Sequence, residues 1–441
     1  MSSTAHSLAG KRIYSLLDEN SFVEIGGYVT ARNTDFNLSE KETPADGVIT
    51  GYGVIDGSLV YVYSQDASVL NGSIGEMHAK KIVNLYDLAM KTGAPVIGLI
   101  DCAGLRLQEA TDALNAFGEI YTKQVMASGV IPQITGIFGT CGGGLAVVPG
   151  LTDFTFMEKD KARLFVNSPN ALEGNDISKC DTSSALYQSQ NAGLVDVLGT
   201  EEEILAQMRQ LISMLPSNYE DNSAYTECTD DLNRVCPELA NCVGDTSIAL
   251  SQIADNNEFF EVKAEYAKDM VTGFIRLNGA TVGCVANRSE IYNEEGEKTD
   301  SFDNVLSARG CKKAAQFVKF CDAFEIPVLT LTNVKGYKAT KCSEANMARN
   351  AAELTNAFIS ATVPKVNVVI GEAFGSAYLT MNSKSTGADM VYAWPSAQIG
   401  MMDAKLAAKI MYAGSDVQTI NEKAAEYAML QSSALSAAKR G

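Results

Sequence analysis

The 441-residue sequence is short of basic charge, histidine and tryptophan. Its 35 lysines and arginines face 53 acidic residues, a formal net charge of −18. A surface of that sign repels a phosphate backbone, which argues against nucleic acid as a partner. With only His6 and His78, and no CxxC pair among ten cysteines, the spacing for a structural zinc site is missing and no metal is expected. The cysteines read as reduced, buried thiols. No apolar run approaches the roughly 18 residues needed to cross a bilayer. The opening "MSSTAHSLAGKRIYSLLDEN" lacks the apolar core of a secretory signal. The expectation is a cytoplasmic protein that reaches a membrane only by docking to a partner. Familiar phosphate loops are absent too. In "FGTCGGGLAVVPGLTDFTF", Phe138 to Phe156, no lysine follows the glycines and the spacing is not GxGxxG.

What is present is a globular composition, 46% hydrophobic, in a chain too long for one ordinary core. The same pattern runs through it twice. "PVIGLIDCAGL" from Pro95 parallels "PVLTLTNVKGY" from Pro327, 232 residues on. At that shift Gly104 falls on Gly336, Pro132 on Pro364, Gly139 on Gly371 and Gly143 on Gly375. "TGYGVIDGSLVYVY" from Thr50 repeats as "TGFIRLNGATVGCV" from Thr272, and "TDFTFM" from Thr152 as "ADMVYA" from Ala388. Prolines and glycines recurring in register predict a duplicated domain, with boundaries at 1–222 and 223–441. Each copy starts with two strands around an Asp-Gly or Asn-Gly turn, Asp56-Gly57 and Asn278-Gly279. Helices and buried strands then alternate, so the fold class is α/β.

The strands Val96–Ile100 and Ile134–Phe138 are expected side by side, ending at one edge. The loop after the first would present amides near Gly104 and Leu105. The turn after the second would present those of Gly143 and Gly144 at a helix amino-terminus, where orphan N–H groups favour negative charge. Two amides converging on one oxygen make an oxyanion hole. Tight strand-to-helix turns would also select these glycines. The second copy offers Gly336, Tyr337, Gly375 and Ser376. No acid–base pair stands out; Glu109 and Asp153 are scattered acids, and His78 reads as a helix-surface or packing residue. "LAMKTG" around Lys91 contains the Ala-Met-Lys of biotin-attachment loops, but it closes an amphipathic helix and reads as an ordinary lysine.

At these residues the chain resembles the carboxyltransferase subunits of biotin-dependent acyl-CoA carboxylases and decarboxylases. "GSIGEMHAKKI", "RLQE", "ASGVIPQI", "CGGGLAVVPGLTDF", "KKAAQFVKFCDAFEIPVLT", "SKSTGAD" and "AWPSAQIGMM" fall in that family's order. The resemblance implies two tandem crotonase-like domains, an acyl-CoA side followed by a biotin side. It implies active sites where one subunit's first domain meets another's second, hence a dimer or a hexamer. Leu105, Gly143 and Gly144 would hold the thioester enolate of a coenzyme A thioester substrate. Tyr337, Gly375, Ser376 and Ala377 would hold the ureido oxygen of biotin, and Arg106 would neighbour the CoA or serve as a salt-bridged structural arginine. Biotin would arrive on a separate carrier protein, with a biotin carboxylase or a membrane decarboxylase subunit as further partner.

Several positions depart from the family's pattern. Cys102-Ala103-Gly104-Leu105, Lys335-Gly336-Tyr337, Gly371-Glu372 and Gly375-Ser376-Ala377 alter side chains while keeping main-chain donors. Another crotonase-type reaction, hydration or thioester hydrolysis, would need a carboxylate facing the first hole. A non-catalytic assembly subunit would tolerate the altered second turn.

Overall fold

The computed structural model describes residues 6–33, 36, 38–221 and 225–441. The chain divides into two compact units, Met1–Ala224 and Tyr225–Gly441. The join expected at 222/223 lies outside the described residues.

In the first unit β1 (Val23–Ile25), β2 (Val48–Ile55) and β3 (Ser58–Gln65) are antiparallel. Asp56 and Gly57 both take positive φ, 49° and 83°, in the two-residue turn that joins β2 to β3. That backbone matches the right-handed strand twist, and Asp-Gly accepts it at little cost. From β3 the sheet turns parallel through β4 (Val96–Cys102), β5 (Gln133–Gly142) and β6 (Phe154–Glu158) to β8 (Val197–Gly199). A short β7 (Arg163–Phe165) pairs with the last residues of β5.

The helix Glu76–Thr92 buries Ala79, Ile82, Leu85, Tyr86 and Ala89 at helical spacing and stops at left-handed Gly93. The helix Glu201–Met214 starts with a capping box between Thr200 and Glu203. Its apolar side, including Ile204, Met208 and Leu211, is buried. Tyr63, Tyr86 and Phe156 are fully buried in this core. Each such side chain contributes about 1.5–3 kcal/mol.

The second unit repeats the order with β9 (Phe259–Val262), β10 (Met270–Leu277) and β11 (Ala280–Asn287). The hairpin β12 (Glu290–Tyr292) and β13 (Lys298–Ser301) stands apart from its main sheet. Parallel β14 (Val328–Val334), β15 (Lys365–Phe374) and β16 (Met390–Ala393) follow, with β17 (Gln398–Gly400) on the end of β15. Asn278 and Gly279 take φ of 51° and 79° in the matching turn. The copies differ at one edge: β6 is buried along its length and paired with β8, whereas β16 exposes Met390 and Tyr392.

The cysteines divide. Cys102, Cys141, Cys284, Cys311 and Cys321 are buried; Cys180 and Cys342 are exposed and the other three intermediate, a correction to a wholly buried set. No helix among the described residues is long and apolar enough to cross a membrane.

Candidate active site

The carboxyl ends of β4 and β5 carry the first candidate hole. Cys102 pairs with Cys141, and the chain leaves both strands within two residues. Between Ile100 and Cys102 the partner strand inserts extra residues, because Ile100 faces Ile137 while Cys102 faces Cys141. Gly139 lies in this irregularity, where a Cβ would run into the Asp101 carboxylate. The second unit repeats the arrangement: Thr332 faces Val369, Val334 faces Ala373, and a Cβ on Gly371 would strike Asn333. The glycines shared by the two copies therefore have a steric cause at this bulge.

The loop after β4 is stitched to the segment before the helix Glu76–Thr92. Ile74 donates to the Gly104 carbonyl and Arg106 N–H to the Ile74 carbonyl, both at 2.9 Å. Leu105 lies between these bonds, and its own N–H meets no acceptor among the described residues. Leu306 holds Tyr337 identically: Leu306 donates to the Gly336 carbonyl and Lys338 to the Leu306 carbonyl, at 2.9 Å each. The Tyr337 N–H is likewise left over.

Gly143 and Gly144 open the turn after β5, and Gly375, Ser376 and Ala377 open the helix after β15. First-turn N–H groups have no partner inside a helix. Gly143 and Gly375 take φ of 63° and 60°, conformations a side chain would strain. A Cβ at Gly104, Gly143 or Gly336 would meet nothing within 4 Å, so these backbones border open space. Gly144 is backed by Phe117 and Tyr121, and the Tyr121 hydroxyl donates to the Gly144 carbonyl. The equivalent carbonyl, of Ser376, accepts from the Tyr337 hydroxyl at 3.0 Å and from Thr380 Oγ1 at 3.1 Å. Ala377 is buried, so its side chain packs inward from the turn.

Arg106 belongs to the structural arrangement rather than to an open surface. Its side chain is 1% exposed and bonded to Asp46 Oδ1 at 2.6 Å, Glu109 Oε1 at 2.8 Å and the Ser73 carbonyl at 2.7 Å. Burial raises the Asp46 carboxyl above its ordinary value, and the Arg106 guanidinium opposes that rise. His78 is also interior, not on a helix surface. Its Nδ1 lies 2.9 Å from the Asp46 carbonyl, which can only accept, so Nδ1 carries the proton and Nε2 faces the Gln65 amide at 3.2 Å. Burial pulls the imidazole down to about 3, so it stays neutral near pH 7.

Asp153 is a decoy for a general base. Burial pushes it up to about 7, yet it accepts from the Gln133 N–H at 2.8 Å, at the opposite end of β5 from Gly142. Asp389 makes the same bond to the Lys365 N–H at 2.7 Å in the other copy. Both aspartates tie a strand start to its neighbour. Lys91 is exposed in the last turn of its helix.

Sequence reasoning missed two buried lysines. Lys81 donates to the Ala45 carbonyl at 2.8 Å and to that of Val48; Lys313 donates to those of Lys263, Tyr266 and Met270 at 2.8, 2.9 and 2.6 Å. The signal was the doubled lysine in "HAKKIV" and "CKKAAQ", in register at 232. The partners of Arg106 were not legible, since Asp46 lies 60 residues away in a turn.

Comparison with known proteins bears on the family and the fold. The model of the carboxyl transferase domain matches residues 3–440. The chain is 39% identical to the propionyl-CoA carboxylase beta chain of Roseobacter denitrificans, over 98% of this chain and 86% of that protein. It is 37% identical to the methylmalonyl-CoA decarboxylase subunit alpha of Veillonella parvula, over 98% and 85%. It superposes on the crystal structure of transcarboxylase 12S, a hexamer solved with hydrolysed methylmalonyl-coenzyme A bound. That match has a TM-score of 0.92 and 35% identity, covering 100% of this chain and 86% of the other. The α/β units are crotonase-like domains in tandem, and the chain belongs to the carboxyl transferase family.

Proposed function

We propose that this carboxyltransferase moves a carboxyl group between a short acyl-CoA of the propionyl/methylmalonyl class and biotin held on a partner carrier protein. The observation that carries the reading is the repeated pair of unspent N–H sets, Leu105 with Gly143 and Gly144, and Tyr337 with Gly375 and Ser376. The relatives' names and the methylmalonyl-coenzyme A bound in the 12S hexamer support the substrate class.

On this reading the first set receives the thioester oxygen, whose charge grows as the enolate forms, and each donor is worth about 2.7–4 kcal/mol of barrier. The second set receives the ureido oxygen of biotin. The open space beside Gly336 and the left-handed Gly375 fit a flat carbonyl approaching the backbone closely. Biotin, when bound, supplies the nitrogen that carries the carboxyl group and takes the α-proton. On this reading neither candidate acid need act as a base: Glu109 is spent on Arg106 and the Glu76 N–H, and Asp153 lies at the far end of its strand. A hydratase or hydrolase would need one of these carboxylates at the first hole. A biotin carboxylase or a membrane decarboxylase subunit completes the system, and the assembly is a homo-oligomer, dimeric or hexameric.

The test is decarboxylation of malonyl-, methylmalonyl- and glutaconyl-CoA by the purified chain with free biotin. Biotin-dependent turnover of at least one is expected. Turnover that ignores biotin would instead favour another crotonase-type reaction, and CoA binding with no turnover a non-catalytic subunit.

A further inference from the structure

The buried cluster around Arg106 is not repeated at the matching loop of the second unit, whose buried Arg288 pairs with Asp245 and Glu261 after β11 instead, and that difference carries an inference. Arg106 ties its own loop to Asp46 and Ser73. Nη1 reaches Asp46 Oδ1 and Glu109 Oε1; Nη2 reaches the Ser73 carbonyl at 2.7 Å; Nε faces Ser73 Oγ at 3.4 Å. The far oxygens of both acids are also engaged: Asp46 Oδ2 accepts the His78 N–H at 2.8 Å, and Glu109 Oε2 the Glu76 N–H at 2.6 Å. The side chains of Arg106, Asp46 and Glu109 are 1%, 0% and 0% exposed. Burying one cation with two anions is expensive, and such groups rarely stabilise a fold better than apolar residues would.

The fold does not require the cluster. In the second unit the same strand, the same bridge from Leu306 to Tyr337 and the same turn are built, while Lys338 and Lys341 stand where Arg106 and Glu109 stand in the first. Both lysines are exposed. The loop in the first unit is also held under strain. Ala110, immediately after Glu109, takes φ 46° and ψ −121°, and Asp46 takes φ 49°. Such conformations persist only where surrounding contacts over-determine them, and they gather at functional sites.

We infer that Arg106, clamped between Asp46 and Glu109, is a positioning residue that fixes the Leu105 N–H against the Gly143–Gly144 turn and does not itself touch coenzyme A. The loop from Gly104 to Glu109 is anchored on both sides of Leu105, by the main-chain bonds to Ile74 and by the Arg106 side chain. The one N–H left over therefore has little freedom to follow a misplaced ligand. This rests on the first hole being the acyl-CoA site.

The experiment compares Glu109→Gln, Arg106→Lys and Asp46→Asn in the full chain. It reads kcat and KM for the acyl-CoA with free biotin, the affinity for CoA alone, and the thermal midpoint. Glu109→Gln removes a buried charge and keeps the shape, but its NH2 must face Arg106 Nη1 or the Glu76 N–H, both donors, so the thermal midpoint should drop. Under conditions where the variant is fully folded it should lower kcat about ten- to a hundredfold while KM and CoA affinity stay near wild type. Arg106→Lys, which keeps charge but loses the fork, should fall between wild type and Asp46→Asn. CoA affinity lost with kcat retained would overturn the inference by making Arg106 a ligand contact. Unchanged kinetics in all three, or failure of all three to fold, would overturn it by making the cluster dispensable or purely structural. A wild-type chain that turns over no acyl-CoA with biotin would instead strike at the functional reading beneath it.

Discussion

The two units set the same main-chain donors on different foundations. In the first, Leu105 sits over a buried arginine between two carboxylates, with a neutral histidine behind it. In the second, Tyr337 sits in a loop with exposed Lys335, Lys338 and Lys341, and the buried arginine of that unit, Arg288, lies after β11 with Asp245 and Glu261. Strand register and bulge agree residue for residue, Cys102 on Cys141 and Val334 on Ala373. Backbone register thus places the N–H groups, and the side chains beneath them are free to differ with the ligand each unit serves. On the proposed reading, an enolate that gathers charge needs a stiffer cradle than a urea carbonyl that changes less.

The sharpest way to break that comparison is to block each turn in turn. Gly143→Val and Gly375→Val place a branched side chain at φ near +60°, where the residue must shift and carry its N–H away. Each should lower biotin-dependent turnover by about 10²–10³-fold. Initial rates decide it. Full activity in Gly375→Val would leave the second set without a role and dissolve the symmetry.

Next in size is the pair of buried lysines. Lys313 serves three carbonyls and Lys81 two. The Lys263 and Ala45 carbonyls also accept backbone N–H groups. Lys313→Met therefore takes the lysine donor from the Tyr266 and Met270 carbonyls and Lys81→Met from that of Val48, at about 1–3 kcal/mol each, so Lys313→Met should destabilise more than Lys81→Met. Urea unfolding gives the order. A larger loss at Lys81 would mean that the Arg106 cluster nearby, not the carbonyls, sets the cost.

Acid should separate the units as well. Both histidines of the chain lie in the first, and burial holds His78 at about 3 against an ordinary 6.5. Between these values the unfolded chain takes a proton that the folded one refuses, so stability is lost as pH falls through that window. The slope is about 1 kcal/mol per pH unit. His78→Gln removes this loss, so the unfolding free energy of the wild type relative to the variant should fall by about 2 kcal/mol from pH 6 to pH 4. A constant difference would show that the ring protonates in place.

The duplication was legible because glycine and proline answer to backbone geometry, which the two copies share. Asp56-Gly57 and Asn278-Gly279 were read as turns for that reason, and both adopt positive φ. The strand pair β4 and β5 followed from buried apolar runs after proline. What stayed hidden depends on long-range packing. Nothing local in "LRLQE" says that Arg106 turns inward to Asp46, and nothing in "GEMHAKK" says that His78 and Lys81 face the core while Lys80 faces out. Gly139 was seen as a repeat, but its cause, the Asp101 carboxylate crossing a bulge, is a fact of register.

The smallest expected effect tests a likeness that sequence alignment obscures. The Gly144 and Ser376 carbonyls are equivalent, and each is capped by a tyrosine hydroxyl from a different element. Tyr121 reaches in from the helix Ala110–Ala127, Tyr337 from the loop after β14. Removing one such bond costs about 1 kcal/mol, or roughly fivefold in rate if the turn must hold still during reaction. Tyr121→Phe should therefore lower kcat about fivefold. Tyr337→Phe should lower it less, because Thr380 Oγ1 also donates to the Ser376 carbonyl and can hold it alone. Steady-state kcat for the two variants, and for Tyr337→Phe combined with Thr380→Val, measures this. If the double variant matches Tyr337→Phe, the carbonyl cap is incidental, and the turn in the second unit is held by backbone alone.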